Sequence, residues 1–179
     1  MSQAAQISKN GSTNYATVDD FRRIFSEKMN DLYLLALLLT ADARKAEQCF
    51  VAGIEDSVKG NRVFREWAYS WAQRTVIQQA IRMIRPTRAG LTSPDPEPLR
   101  LEIDSRLKEI LKLDPLERFA FVMSVLEGYS YQDCSLLLGR SRQAIANAAA
   151  RAIEHLANGA EIVAMYGEQR QGAYTPVSH

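Results

Sequence analysis

The sequence predicts an all-α protein made of two small helical domains. Apolar residues recur at intervals of three and four along most of the chain, as they do on one face of a helix. No stretch shows the sustained two-residue alternation with β-branched residues that is typical of strands. Four of the six prolines fall within residues 86–98, which lack an apolar period. We therefore predict a linker at residues 86–100, between domains at residues 18–85 and 101–159.

The composition is that of a globular protein with almost no net charge. Of its 179 residues, 46% are hydrophobic and 24% are charged, and 22 Lys and Arg against 21 Asp and Glu give a formal charge of +1. The total charge therefore predicts no polyanionic partner. Two Cys and two His cannot form a recognised zinc cluster or disulfide framework, so we expect no metal and no cofactor.

The N-terminal residues carry no apolar signal segment, and the longest apolar run is short. Residues 1–17 are rich in Ser, Gln and Asn, and we expect them to be disordered. The run at residues 32–39 is far shorter than the roughly 20 residues that cross a membrane. These two observations predict a cytoplasmic protein that is neither exported nor inserted.

The first domain is predicted to contain three helices, at residues 18–39, 41–58 and 63–84. Asp42 can cap the second helix at its start. Lys59-Gly60-Asn61 can end it, because Gly and Asn accept a left-handed backbone. Trp67 and Trp71 lie four residues apart and should pack together in the core, against Leu35 and Leu38.

The second domain is predicted to contain four helices, at residues 101–112, 116–126, 130–137 and 141–158. Pro115 suits the first turn of a helix because it needs no hydrogen-bond partner for its nitrogen. Gly128, Ser130, Gly139 and Ser141 provide the turn and capping residues between the later helices. Residues 160–179 are expected to form a tail.

The last two helices have the pattern of a helix-turn-helix, with Gly139 in the turn. The first should bury Cys134, Leu137 and Leu138. The second should bury Ile145, Ala149, Ala152, Ile153 and Leu156. Its first turns are polar and supply the candidate DNA contacts Arg140, Ser141, Arg142, Gln143, Asn147 and Arg151. Arg can bond guanine, and Gln or Asn can bond adenine. A helical hairpin that binds nothing fits the same spacing about as well.

Positive charge is concentrated around the third helix of the first domain. Residues 59–88 contain seven Lys and Arg and one Glu. Four candidate phosphate contacts fall on one helix face: Arg74, Gln78, Arg82 and Arg85. Tyr69 lies on a different face from the two tryptophans and could stack on an unpaired base. The alternative is a charged face that is simply solvated.

The second domain resembles region 4 of the extracytoplasmic-function (ECF) sigma factors, in the sigma-70 family of bacterial RNA polymerase subunits. The resemblance lies in the run LDPLERFAFVMSVLEGYSYQDCSLLLGRSRQAIANAAARAIEHL. The family pattern begins with a Leu-Pro pair, an Arg and an apolar run, which here are Leu113 and Pro115, Arg118 and residues 119–126. It continues with Gly-Tyr-Ser and a Leu-Gly turn, here Gly128-Tyr129-Ser130 and Leu138-Gly139. It ends with a Ser and an Arg-Ala pair, here Ser141 and Arg151-Ala152.

The first domain is similar to region 2 of the same family. The runs LLTADARKAEQCFVAGI and REWAYSWAQRTVIQQAIRMIR carry this likeness. The resemblance implies a transcription initiation subunit whose region 2 binds the β′ clamp helices and melts the −10 element, and whose region 4 binds the β flap and reads the −35 element. It also implies a possible anti-sigma partner, and it implies polymerase contacts at Glu47, Gln48, Val51 and Glu55.

Three other functions stay open at this point. A sigma-like protein could act by protein interaction without reading promoters, because the loop before Trp67 is short and the recognition helix is rich in Ala. A helix-turn-helix transcriptional regulator could carry a ligand-sensing first domain. An enzyme is the remote alternative, because the sequence has no metal set, phosphate loop or nucleophile motif.

Overall fold

A computed structural model of the protein describes residues 14–59, 62–86 and 105–156. The all-α class is confirmed, since the regular structure of these residues is helical apart from a single β-bridge between Tyr15 and Phe64. None of the helices in these ranges combines the length and apolarity needed to cross a bilayer. The predicted tail at residues 160–179 lies outside the described residues. So do Gly60-Asn61 and most of the predicted N-terminal segment and linker.

The first helical group contains four α-helices: α1 (Val18–Glu27), α2 (Met29–Thr40), α3 (Ala43–Val58) and α4 (Ala68–Ile84). A single 3-10 turn at Arg65–Trp67 precedes α4. The predicted helix at residues 18–39 is therefore two helices. Lys28, with φ −108° and ψ 22°, breaks the helix. The break separates the amphipathic α1 from α2, whose residues Leu35 to Thr40 are all buried.

Side-chain caps fix where α1 and α3 begin. The Asp42 side chain accepts a hydrogen bond from the Lys45 N–H at 3.0 Å, which confirms its predicted role. At α1 the Thr17 and Asp20 side chains form a reciprocal capping box. Hydrogen bonds from Thr17, with Arg65 and Arg23 close by, hold the pKa of Asp20 below its usual value.

The second helical group contains α5 (Ser105–Leu111), α6 (Pro115–Phe121), α7 (Tyr131–Leu138) and α8 (Arg142–His155). Pro115 is the first residue of α6, as predicted. The predicted helix at residues 116–126 is α-helical only to Phe121 and continues as a π-helical turn, Val122–Leu126. Within this turn the Ser124 hydroxyl bonds the Ala120 carbonyl at 2.6 Å and so competes with the backbone for that acceptor.

The two helical groups pack directly against each other. One continuous cluster of buried residues contains Leu38 and Val76 from the first group and Phe119 and Ile145 from the second. Across the contact, Gln73 Nε2 donates to Glu127 Oε2 at 2.8 Å. The division of the chain into two domains stays a prediction, but the groups share a hydrophobic core.

Arg118 is the main polar residue of this contact. It is buried in α6, and its Nε donates to the Leu39 carbonyl at the end of α2 at 3.2 Å. Its Nη1 donates to the carbonyls of Leu113, at 2.8 Å, and Leu111, at 3.3 Å. Burial lowers the pKa of Arg118 to about 10, so the guanidinium stays charged at neutral pH. Positive charge at the carboxyl end of α2 is favourable because of the helix dipole.

Candidate nucleic-acid interface

The turn between α7 and α8 has helix-turn-helix geometry. Gly139 ends α7 with φ 62° and ψ 37°, a left-handed conformation that glycine adopts without strain. The Ser141 side chain caps α8 by accepting a hydrogen bond from the Ala144 N–H at 3.2 Å. Ser135 Oγ donates to the Arg140 carbonyl at 2.6 Å and fixes the turn between the two caps. These interactions set the angle at which α8 leaves α7.

The first turns of α8 point away from the protein. Ser141, Arg142, Gln143 and Asn147 are all exposed, and the Gln143 amide donates to the Asn147 amide oxygen at 2.9 Å. Arg140, in the turn itself, is exposed as well. The opposite face of α8 packs on α6 through Ile145, Ala148, Ala149 and Ala152. The structure thus gathers five of the six predicted region 4 contacts on one accessible surface.

The sixth predicted contact, Arg151, is exposed but pairs with a buried carboxylate on another helix. Its Nε donates to Glu117 Oε1 at 2.8 Å, and Glu117 is only 5% exposed. His155, one turn further along α8, places Nδ1 3.1 Å from the other carboxylate oxygen of Glu117. Arg151 therefore ties α8 to α6. Sequence spacing aligns Arg151 with His155 but gives no sign of Glu117, which lies on a different helix.

The prediction that Ile153 is buried is wrong. Its side chain is 51% exposed, whereas Ile145, Ala149, Ala152 and Leu156 are buried as predicted. At about 100° per residue, Ile153 lies beyond the edge of the arc that Ala148, Ala149, Ala152 and Leu156 bury. Of the three residues predicted inward on α7, Cys134 and Leu138 are buried and Leu137 is half-buried.

The predicted basic face of α4 is only partly free. Arg74 and Arg85 are exposed, and Gln78 is half-buried. Arg82 is exposed too, but its Nη1 lies 3.0 Å from Asp56 Oδ2 on α3. An ion pair at the surface contributes little to stability, so Arg82 can exchange Asp56 for a phosphate at small cost.

Trp67 is not in the core, contrary to prediction. It is 58% exposed and packs edge-to-face on Phe64, which in turn stacks on Tyr15 at 4.9 Å between ring centroids. Trp71 is half-buried in a second cluster, with Phe21, Val63 and Ala68, and does not pack on Leu35 and Leu38. The 3-10 turn before α4 changes the direction of the backbone, so Trp67 leaves the face that a continuous helix would have given it.

These three rings form an exposed aromatic surface that sequence spacing did not reveal. We call Tyr15, Phe64 and Trp67 the aromatic surface. The Arg62 guanidinium lies 5.8 Å from the centre of the Tyr15 ring, a cation–π contact. In the sequence, the charged residues Arg62 and Arg65 on either side of Phe64 were the available sign that this segment is exposed. Tyr69, which sequence spacing favoured for base stacking, is half-buried and packs on the main core.

A cleft of about 910 Å³ lies beside the aromatic surface. One wall belongs to the first helical group and includes Arg62, Trp67 and Arg74. The other wall includes Tyr129, in the segment before α7, and Asp133 in the first turn of α7. Burial raises the pKa of Tyr129 to about 12, so its hydroxyl stays protonated at neutral pH. The cleft therefore joins aromatic and cationic groups with an acidic rim.

The predicted polymerase contacts form one exposed stripe on α3. Glu47, Gln48, Val51 and Glu55 are all exposed, and Glu55 pairs with Lys59 at 3.1 Å. The opposite side of α3 packs on α4, where a Cβ added to Gly53 would lie 3.0 Å from Val76 Cγ2. An acidic stripe with one apolar residue is suited to a protein partner rather than to DNA.

Both cysteines are buried, as predicted, and both are unreactive by environment. Cys49 donates to the Val76 carbonyl at 3.1 Å, and burial raises the pKa of its thiol to about 12. Burial likewise raises the pKa of Cys134 to about 11. Among the residues that the structure describes, no cluster of His, Cys, Asp and Glu could hold a metal ion.

Comparison with known proteins identifies one segment. Residues 107–156 match the family model described as Sigma-70, region 4, which covers α6, α7 and α8 and most of α5. No curated protein and no solved structure matches the chain. The match coincides with the segment whose geometry is a helix-turn-helix.

Proposed function

We propose that the chain is a transcription initiation subunit of the sigma-70 type, which binds core RNA polymerase and directs it to promoter DNA. The observation that carries the proposal is the exposed polar face of the first two turns of α8. It presents Arg142, Gln143 and Asn147 from a helix-turn-helix, within a segment that matches sigma-70 region 4. Such side chains can bond base edges in the major groove. The expected target is the −35 element.

The first helical group would act at the −10 element. Arg74, Arg82 and Arg85 lie along α4 and would contact phosphates. The aromatic surface lies beside the cleft with Arg74, and stacking of an unpaired base on an aromatic ring is worth about 1–3 kcal/mol. The first group thus combines phosphate-binding and base-stacking groups, as a surface that holds separated strands requires.

Polymerase would bind at two places. The stripe of Glu47, Gln48, Val51 and Glu55 on α3 is our candidate for contact with the β′ clamp helices. The second helical group would contact the β flap. The sequence resembles the ECF subfamily, and an anti-sigma factor would be a further partner. We expect the protein to act in the cytoplasm, where the polymerase is.

The decisive experiment is reconstitution with core polymerase. Purified protein is mixed with core enzyme, the complex is isolated, and transcript starts are mapped on a library of random upstream sequences. We expect starts that share two sequence elements. As a control, Glu47→Lys with Glu55→Lys should reduce binding to core enzyme, while Lys108→Glu on α5 should leave it unchanged.

A second function is favoured by the ion pair that engages one of the predicted DNA contacts. Because Arg151 pairs with the buried Glu117, fewer cations are available to DNA than the sequence suggests. The chain would then be a sigma-like protein that binds core polymerase without reading promoters. Binding to core enzyme with no transcript from any library member would favour this function. Duplex binding without core binding would indicate a helix-turn-helix regulator.

A further inference from the structure

We propose that the cleft between the two helical groups binds one free nucleotide, a small ligand that combines a planar base with a phosphate. The proposed function assigns the aromatic surface to promoter strands, but it assigns no ligand to the cleft. Binding of a small ligand by the protein alone does not require that the chain reads DNA, so the proposal stands apart from that function.

The cleft has the size and the position of a small-molecule site. Its volume of about 910 Å³ falls within the range of roughly 300–1,000 Å³ that is usual for such sites. It lies where the two helical groups meet, and contacts between structural units often carry ligand sites. Gln73 and Glu127, which are joined by a hydrogen bond of 2.8 Å, both line it. The two walls of the cleft are therefore connected directly.

The wall from the first helical group can bind both parts of a nucleotide. Phe64 and Trp67, two rings of the aromatic surface, are exposed and line the cleft. A base of any identity can stack on such rings, because every base has a π-face. Arg62 and Arg74 are exposed on the same wall, and a guanidinium can donate two parallel hydrogen bonds to a phosphate.

The same wall contains a buried donor without an acceptor. Trp71 lines the cleft, and its Nε1 is buried and donates to no residue that the structure describes. A buried N–H without a partner is unfavourable, and most such groups in native proteins are paired. The sugar or phosphate oxygens of a bound nucleotide could supply the missing acceptor.

The wall from the second helical group favours a single nucleotide over a continuous strand. Glu127 and Asp133 line this wall, and carboxylates repel phosphates. A strand that passed through the cleft would bring a phosphate with each nucleotide past these two carboxylates. A free nucleotide can place its one phosphate at the arginines and its base toward the carboxylates.

The carboxylates also predict which bases bind best. A carboxylate accepts a hydrogen bond from the exocyclic amino group of cytosine, which uracil lacks. Asp133 is exposed, and its Oδ2 accepts from Ser130 Oγ at 2.5 Å. A carboxylate has about four acceptor positions, so this bond leaves capacity for a ligand. We expect CMP to bind roughly threefold to tenfold more tightly than UMP.

Tyr129 indicates that the two walls face each other. Burial and the Glu127 carboxylate raise the pKa of Tyr129 to about 12, while Arg74 of the opposite wall lowers it. The Arg74 guanidinium therefore lies within electrostatic reach of the Tyr129 hydroxyl. A ligand between them would contact both helical groups, so its binding should stabilise their association.

The first test is calorimetric titration of the full chain with CMP and with UMP at constant ionic strength. We expect one CMP to bind per chain, and we expect Trp67→Leu and Arg74→Ala each to weaken its binding roughly tenfold. Arg22→Ala, at an exposed site on α1, is the matched control and should bind CMP as wild type does. The proposal is wrong if CMP shows no saturable binding up to about 5 mM, or if Trp67→Leu binds it as wild type does.

A second measurement separates a free nucleotide from a DNA strand. Single-stranded oligo-dC of about ten nucleotides competes with CMP, for wild type and for Asp133→Asn. We expect the oligonucleotide to bind more weakly per nucleotide than CMP does in wild type. Asp133→Asn should bind the oligonucleotide more tightly and should lose most of the preference for CMP over UMP.

Two results of this competition would overturn the proposal. If the oligonucleotide displaces CMP from wild type at a lower concentration of nucleotide units, the cleft is part of a site for strands. If Asp133→Asn changes neither the binding of the oligonucleotide nor the preference for CMP, the second wall takes no part in choosing the ligand.

Discussion

Arg142 and Gln143 are the side chains on which the proposed base reading would depend most directly. They are exposed in the first turn of α8. Replacing both by Ala should weaken binding by about 1–3 kcal/mol for each lost base contact and relax preference at the upstream element. Competition binding with a panel of single-base variants of the selected duplex measures both effects. Lys112→Ala, at an exposed site in the turn after α5, is the control; an unchanged sequence preference in the double variant would contradict the proposal.

Asp20 should make the stability of the first helical group depend on pH. Its carboxylate accepts hydrogen bonds from Thr17 N–H at 2.9 Å and Thr17 Oγ1 at 2.8 Å, and its pKa is lowered. A lowered carboxylate pKa stabilises the fold above the unfolded-state pKa, and this contribution is lost as pH falls through the folded-state value. Asp20→Asn should cost about 1–2 kcal/mol at neutral pH.

Urea unfolding at about pH 7 and about pH 3 measures this contribution. The difference between wild type and Asp20→Asn should shrink at the lower pH, because the native carboxylate is then partly protonated. Asp19→Asn is a matched control in the same turn of α1, since the Asp19 side chain is 87% exposed and pairs with Arg22 at the surface. If both variants lose the same free energy of unfolding, the capping box does not stabilise the protein beyond an ordinary surface carboxylate.

At the scale of single elements, the turn between α7 and α8 depends on Gly139. A Cβ at this position would meet no atom within 4 Å, so only the positive φ of 62° requires glycine. Gly139→Ala should therefore destabilise the protein by about 1–2 kcal/mol, while Gly139→Asn should cost less because Asn tolerates the left-handed region. Thermal unfolding compares the two. Equal losses would show that steric contact, and not backbone conformation, limits the site.

Sequence signals predicted the helix ends well where nearby residues in the chain determine them. Asp42 and Ser141 cap the helices that they were expected to cap, and Gly139 has the expected backbone conformation. What the sequence did not show comes from contacts between elements. The ion pair of Arg151 joins it to Glu117 on another helix, and Trp67 is displaced from the core by a short 3-10 turn that periodicity cannot detect.

The same distinction applies to the candidate site as a whole. The exposed residues of α8 and of the α3 stripe could be predicted, because a helix that buries one face must expose the other. The aromatic surface and the cleft could not. They depend on how the segment before α4 meets Tyr15 and on how the second helical group approaches the first.

At the scale of the whole molecule, the contact between the two helical groups should survive a break in the chain. A protease site inserted between residues 87 and 104 allows the protein to be cleaved after folding. We expect the two fragments to co-elute in size-exclusion chromatography, because they share a hydrophobic core. Gln73→Ala removes the hydrogen bond to Glu127 and should weaken the association roughly threefold to tenfold.

Lys59→Ala is the control for that measurement, because it breaks a surface ion pair, with Glu55 on α3, that does not join the two groups. It should leave the association of the fragments unchanged. If the two fragments of the cleaved wild-type protein elute separately, the helical groups are held together only by the covalent link through residues 87–104.

The bond from Arg118 to the Leu39 carbonyl has a practical consequence for protein engineering. The second helical group cannot be fused to an unrelated protein without further changes, because the buried Arg118 guanidinium would lose the Leu39 carbonyl as an acceptor. The reverse chimera, in which a helix-turn-helix from another source replaces this one, must bring a cation of its own to cover the exposed end of α2. Swaps that ignore this pairing should yield insoluble products even when each half is individually well designed.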